Sequence, residues 1–373
     1  MEQQPTLLKY FFNEDKVSHI GRDLLVAYPR FDLEGFIDMV MNDLDEQSLS
    51  ERAWSITEAM RCFLPKYYEE VAAIFKKTFG PELHSDRMEG MDGFYYMPFG
   101  NYVAKYGLDD FGLSIDLLRE ITIRFTSEFP IRPFLEKYPK RTLAVLNNWV
   151  NDPNVHVRRL VSEGSRPRLP WASRLREFQM DPTPVIQLLE KLKEDPELYV
   201  RRSVANNLND IGKDHPELVI EVLTDWSRSK DLGTQWIIKH ASRSLIKDGN
   251  SKALGLLGYD PNVNVELVDL QVEDKVEMGD VLNFSFSILS KEKTSKDLMV
   301  DFVVHYMKAN GKQAAKVFKL AKTKIRSGED REFNKKVSFK PISTRKYYKG
   351  LHAIEIQVNG TRFGKGEFEL IMT

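Results

Sequence analysis

The chain has 373 residues, with 54 Lys+Arg against 55 Asp+Glu and a net charge of −1. That length exceeds what one core usually organises, so two domains are expected. A hydrophobic fraction of 42% with 29% charged residues fits a globular protein, and no run approaches the roughly 18 apolar residues of a membrane span, so no membrane partner is expected.

The start, MEQQPTLLKYFFNEDK, has no basic stretch followed by an apolar one, so no secretory signal is expected and a cytoplasmic location is. "SLSERAWSITEAMRCFL" places Ser48 and Glu51 in capping-box spacing, and Ala53, Ile56, Met60 and Phe63 follow at helical intervals. The single cysteine, Cys62, falls in this pattern and is expected to be a small buried core residue. One cysteine also excludes an internal disulfide framework, as suits a reducing compartment. Helical periodicity recurs near 66–78, 113–125, 141–150, 155–162, 183–193, 198–208, 216–226 and 234–246, separated by short Asp-, Pro-, Gly- and Asn-rich breaks. The stretch 80–100 is the chief irregularity.

"DPNVHVRRLVSEG" (152–164) and "DPELYVRRSVANN" (195–207) align without gaps at an offset of 43. "TSEFPIRPF" (126–134) weakly echoes "VSEGSRPRL" (161–169) at an offset of 35. Paired helices at such periods stack into an α-solenoid. The DPxVxVRR wording resembles the HEAT repeat, in which Asp-Pro makes the turn and the valines begin the inner helix.

Near Gly258 to Pro261 the pattern changes. "VLNFSFSIL" alternates Leu282, Phe284, Phe286 and Ile288 with Asn283, Ser285 and Ser287, a half-buried strand. "VDFVVHYM" and "EFNKKVSF" alternate similarly, and Asn359-Gly360 is the preferred pair for a tight hairpin turn. The expected fold is mainly α: a HEAT-like-repeat solenoid over 1–258, then a small all-β sandwich of immunoglobulin type over 259–373, without the Cys and Trp markers of antibody domains.

Charge is segregated. Lys308 to Lys349 holds 14 basic and 3 acidic residues, which suggests a polyanion-facing surface. Its basic segments carry Lys322, Lys324 and Arg326, then Arg345 and Lys346. In the repeats, Arg158, Arg159, Arg201 and Arg202 recur in register, either as phosphate clamps or as salt-bridge partners of Asp152 and Asp195. From His156 to Arg176 six arginines, Arg166 and Arg168 among them, surround one acid, Glu163. That acid is either a neutralised partner or a group held for a cation that arrives with a ligand.

Glu163 and Asp210 fall near the ends of matching repeat helices, and Glu128 near the end of the helix before Pro130. A carboxylate is mildly unfavourable at a helix C-terminus, by roughly 0.3–1 kcal/mol. Corresponding solenoid helices run parallel, so the three acids would converge on one edge. Trp171, in a polar loop after Pro170, is either buried or an exposed indole that stacks on a base or sugar; Trp149, Trp226 and Trp236 read as core. The seven histidines show no ligand spacing, and no phosphate-binding glycine loop or serine elbow is present, so no metal and no cofactor are expected. Asn359-Gly-Thr361 matches the glycosylation triplet but is explained by the hairpin.

SEFPIRPF, SEGSRPRLPW and NNLNDIG on repeat helices, followed by a sandwich, resemble the HEAT-like-repeat DNA glycosylases, specifically the AlkC branch of the AlkC/AlkD superfamily. The resemblance implies excision of cationic alkylated bases such as 3-methyladenine and 3-methylcytosine from duplex DNA, without rotating the nucleotide into a deep pocket. It implies that Glu128, Glu163 and Asp210 are active-site carboxylates and that Trp171 is the aromatic wall beside the deoxyribose. The AlkD branch relies on two tryptophans around one Asp; here there are three acids and one loop Trp, so no second Trp is assigned. The chemistry suits carboxylates. An alkylated base is already a cationic leaving group, so what remains is to stabilise an oxocarbenium-like sugar and to present water to it. The implied protein is a monomer whose partner is alkylated duplex DNA. The rival readings are a HEAT scaffold that binds protein or nucleic acid without catalysis, and an RNA-binding accessory protein.

Overall fold

The computed structural model describes residues 8–83 and 92–372, so His84 and residues 85–91 of the irregular stretch lie outside the described residues. The chain forms two compact units, one of residues 1–214 with 231–237 and one of 215–230 with 238–373. It is a mainly helical protein with a C-terminal immunoglobulin-like sandwich. No helix among the described residues is long and apolar enough to cross a membrane.

In the first unit, the helix Leu49–Phe63 begins where Ser48 N–H donates to Glu51 Oε2 at 2.8 Å, closing the capping box. Its buried stripe includes Ala53, Ile56 and Met60. Cys62, expected in the core, is exposed. Two residues beyond Met60 it is turned roughly 200° around the axis, off the stripe. Within the irregular stretch a helix, Met97–Tyr106, starts early: Pro98 sits in the first turn, where a missing N–H does no harm, and Phe99, Tyr102 and Val103 are buried.

The inner helices Val155–Gly164 and Leu198–Ile211 pack side by side, and the Asn207 amide donates to Ser162 O at 2.8 Å between them. Arginine forks bracket successive repeats. Arg119 grips Asp152 at 2.9 and 3.1 Å, and Arg158 grips Asp195 at 2.7 and 3.3 Å. Each fork thus reaches the acid that opens the next repeat. Arg158 Nη1 also returns to the carbonyls of Asp152 and Pro153, and Arg201 Nη1 returns to those of Asp195 and Pro196. Those carbonyls belong to the Asp-Pro turns, so the DPxVxVRR spacing encodes a fastened helix start.

Among its described residues the second unit contains the helices Pro216–Trp226, Arg243–Lys247 and Ser251–Leu256, and then eight strands. These are β1 (Val265–Val272), β2 (Lys275–Glu277), β3 (Val281–Ser290), β4 (Lys296–Met307), β5 (Gln313–Ile325), β6 (Asp330–Ser338), β7 (Gly350–Val358) and β8 (Thr361–Ile371). They form sheets of order β1-β3-β6 and β2-β8-β7-β4-β5. All pairs are antiparallel except β2 with β8. β3 buries Leu282, Phe284, Phe286 and Ile288 in alternation, as its sequence predicts. In β4 the predicted alternation fails, and Leu298 to Val304 are buried without a break. That strand is interior to its sheet, and the outer face is shielded where Gln357 of neighbouring β7 donates to Lys247 O.

The β7–β8 hairpin turns at Asn359 and Gly360 with φ of 45° and 82°, the pair of positive values that a type I′ turn needs. Asn359 is fully buried: its amide donates to Asp260 O and Asp297 O and accepts from Met299 N–H. The turn also packs against Gly249, so the Asn-Gly-Thr triplet serves the fold.

Candidate active site

Glu163 and Asp210 are the penultimate residues of the helices Val155–Gly164 and Leu198–Ile211, so both lie at the negative end of a helix dipole. Glu128 differs from expectation. The preceding helix, Phe111–Thr122, ends earlier, and Glu128 sits in the turn that leads into Arg132–Lys137. That turn is fixed by Ser127 Oγ, which donates to Leu118 O at 2.9 Å, and by Thr126 Oγ1, which donates to Glu128 Oε2 at 3.0 Å.

Two arginines join the three acids. Arg159 Nη1 lies 2.8 Å from Glu128 Oε2, and its Nη2 lies 3.7 Å from Glu163 Oε1. Arg166 Nη1 donates to Glu163 Oε1 at 2.6 Å, while its Nη2 lies 2.8 Å from Asp210 Oδ2. Lys213 Nζ closes the row 2.9 Å from Asp210 Oδ1, and Ser203 Oγ donates to Glu163 Oε2 at 2.6 Å. The Arg159 guanidinium lies 4.9 Å from the Tyr199 ring centroid. Leaving out the half-exposed Lys213, the row alternates acid, arginine, acid, arginine, acid and carries a net charge of −1.

Opposite charges favour the ionised forms of Glu163 and Arg166. Burial acts to raise the Glu163 carboxyl, but Arg159, Arg166 and Ser203 outweigh it and hold the group below its usual range. Burial acts to lower Arg166, and Glu163 and Asp210 raise it on balance. Such a row can accept hydrogen bonds from water and favours positive charge developing beside it.

The segment after Glu163 is clamped from below. The buried Arg132 guanidinium donates to the carbonyls of Gly164, Arg166 and Ser173 at 3.1, 2.9 and 2.5 Å. Burial lowers it to about 10. Arg168 forks onto Asp214 at 2.8 and 2.5 Å. Between these anchors Trp171 is 99% exposed and has a φ of 63°, a left-handed conformation rare for a bulky residue. The loop therefore holds an unburied indole on a backbone conformation that costs free energy to keep.

The repeat arginines are not laid out as a row of phosphate clamps. Arg158 brackets successive repeats, Arg201 fastens the Asp-Pro turn of its own repeat, Arg159 and Arg166 lie between the acids, and Arg168 is paired with Asp214. Arg202 is exposed. On the sandwich, Lys322, Lys324, Arg326 and Lys346 are exposed, and Arg345 is half-buried. Ser203, Tyr199, Lys213 and Arg132 were not singled out by the sequence. Tyr199 occupies the repeat position of His156, whose ring it meets edge-on, and Arg132 lies inside the SEFPIRPF motif; no spacing signal marked the other two.

Residues 123–245, which include all three acids and Trp171, match the family model "DNA alkylation repair enzyme". Residues 266–372 match "Uncharacterised protein YhaZ, C-terminal Ig-like domain". The Bacillus subtilis (strain 168) protein described as "Uncharacterized protein YhaZ" is 39% identical over 355 residues, 95% of this chain and 96% of that protein. The solved Pseudomonas fluorescens alkylpurine DNA glycosylase AlkC, bound to DNA containing an abasic site analog, is 39% identical. It covers 98% of this chain and 100% of its own, with a TM-score of 0.88. The chain belongs to the AlkC family. The AlkC match runs through both the helical array and the sandwich, so the resemblance carried by the motifs holds along the whole chain.

Proposed function

We propose that the chain is a monofunctional DNA glycosylase that hydrolyses the N-glycosidic bond of cationic alkylated bases, 3-methyladenine and 3-methylcytosine among them, in duplex DNA. The observation that carries this reading is the acid–arginine row of Glu128, Arg159, Glu163, Arg166 and Asp210, with exposed Trp171 on the loop that continues from it. Glu163 and Asp210 stabilise the sugar as it turns positive, and one of them takes a proton from the attacking water. Glu128 orders the water or the edge of the cleft. Trp171 packs beside the deoxyribose, and its standing in solvent rather than inside a cavity favours reaction without base flipping. The leaving group is already cationic, so no acid need protonate it, and the row's one lysine, Lys213, is ion-paired with Asp210. Neither cofactor nor partner protein is required.

The division of labour follows the sequence boundary: residues 1–258 carry the chemistry, and 259–373 add phosphate contacts through Lys322, Lys324, Arg326, Arg345 and Lys346. In the repeats, Arg202 is the arginine best placed for phosphate. Methylated genomic DNA incubated with the protein should release free alkylated bases detectable by mass spectrometry, and Glu163→Gln should abolish release while retaining DNA affinity. Release by that variant at the wild-type rate would remove Glu163 from the mechanism.

A further inference from the structure

The edge strands β5 and β6 end the two sheets of the sandwich, and between them and the segment 340–347 lies a cleft of about 500 Å³. Among the described residues, six basic side chains line it, Lys316, Lys319, Lys335, Lys336, Lys340 and Arg345, and no carboxylate does. Arg345 is fixed by aromatic rings, lying 4.2 Å from the Tyr306 centroid, 5.7 Å from Tyr347 and 5.8 Å from Phe318. Lys316 lies over Phe318 at 5.4 Å.

The arginines of the helical unit provide an internal contrast. Arg119, Arg158, Arg166 and Arg168 each close on a carboxylate within 3 Å. In the cleft a guanidinium is held in place without one. Asp301, near Lys319, and Glu273, near Lys336, give only partial compensation. Lys316 is lowered by burial and by the neighbouring charges of Arg345 and Lys247, as expected where cations crowd without a counter-ion. Edge strands often carry lysine to block edge-to-edge pairing. That need is met by either sign of charge, and it accounts neither for a concave wall of one sign nor for an arginine laid on aromatic rings.

We propose that this cleft is a phosphate-binding site, with Arg345 as its oriented donor and the five lysines as its field. The ligand chemistry is a phosphate group, and the source favoured by the extent of the basic surface is a nucleic-acid strand; that assignment of source rests on the DNA reading above. It moves the sandwich's main anion contact from Lys322, Lys324 and Arg326 to a cleft in which, of the five sandwich residues assigned to DNA, only Arg345 takes part.

The test is a charge reversal at two exposed positions, Lys335→Glu with Lys336→Glu, and separately Arg345→Ala, in the full chain. Duplex DNA with an abasic-site analogue is titrated over a salt series, and sodium tripolyphosphate is titrated with ³¹P NMR as readout. Lys293→Glu with Lys365→Glu, exposed on the same sandwich but outside the cleft, controls for net charge. The expected result is at least a tenfold loss of duplex affinity and a salt dependence shallower by about one phosphate contact, well beyond the control. Tripolyphosphate binding lost in the variants with duplex affinity intact would support the site with a free polyphosphate as its source. Variants that match the control in both titrations would overturn it. These readouts do not require base release, so a protein that bound DNA but cleaved nothing would sink the glycosylase reading and leave this one standing.

Discussion

Glu163 and Asp210 share one guanidinium: Arg166 stands 2.6 Å from the first and 2.8 Å from the second. That bridge fixes the spacing of the two acids and, at Glu163, opposes the burial that acts to raise its carboxyl. Its consequence is a pH dependence. The folded Glu163 is held below its usual 4.5, so its ionised form should persist through the range where free carboxylates titrate. Base release should stay flat from neutral pH down to about 5 and fall only at lower pH. Arg166→Ala leaves burial opposed by Arg159 and Ser203 alone, which raises the Glu163 pKa and moves the acid limb upward. The plateau should also drop by roughly 10²–10³. Stability follows the same sign: the contribution of Glu163 is complete above the unfolded value and is lost as pH falls through the lower folded one. Single-turnover rates across pH read the effect, and coincident acid limbs would show that Arg166 does not set the ionisation of Glu163.

Trp171 makes no buried contact, and its backbone is strained. Trp171→Gly should therefore leave stability unchanged or raise it by up to about 1 kcal/mol, because glycine takes a positive φ freely. Base release should fall at least tenfold. A thermal melt beside a release assay separates the two effects, and a lower Tm in the glycine variant would mean that the indole supports the fold.

The paired arginines of the repeat motif should divide by role. Arg158→Ala breaks a mostly buried fork, with side-chain exposures of 13% for Arg158 and 4% for Asp195, and should cost about 3–5 kcal/mol. The salt slope of DNA binding should not change. Arg202→Ala should leave Tm alone and make that slope shallower by about one contact. Denaturant unfolding and salt-dependent titration decide, and the reverse pattern would return Arg158 to the phosphate surface.

What the sequence made legible is what depends on local spacing. The capping box at Ser48, the repeat helices, the alternation of β3 and the Asn359-Gly360 turn all follow from residues a few positions apart. The convergence of Glu163 and Asp210 was readable because repeats translate a position along a solenoid. Partners chosen by packing were not. The DPxVxVRR pattern puts two arginines in register but does not say that Arg158 reaches the next Asp while Arg202 faces water. Arg132 lies inside the SEFPIRPF motif, but the motif does not show its partners, because its three acceptors are backbone carbonyls brought under it by the loop. β4 looked alternating because the helices that cover its outer face belong to a distant stretch of sequence.

Those helices and the β7–β8 turn press against each other. In the second unit the segment around Gly249 meets the β7–β8 turn so closely that a Cβ on Gly360 would lie 2.8 Å from Gly249 Cα and 2.6 Å from Leu254 Cδ1. Gly360 also needs its φ of 82°. Gly360→Ala therefore meets both a backbone penalty and a clash, and should destabilise by more than about 1 kcal/mol. Gly279 has a φ of 104° and open space around its Cβ position, so Gly279→Ala carries the backbone penalty alone and should cost less. The difference between the two variants in denaturant unfolding isolates the contact. It also bears on where the chain can be cut, since a fragment ending at 258 keeps the helices Arg243–Lys247 and Ser251–Leu256 but strips away the hairpin they pack on. Equal losses in the two variants would show that the helices and the hairpin do not depend on each other, and the 1–258 boundary would then be a clean one.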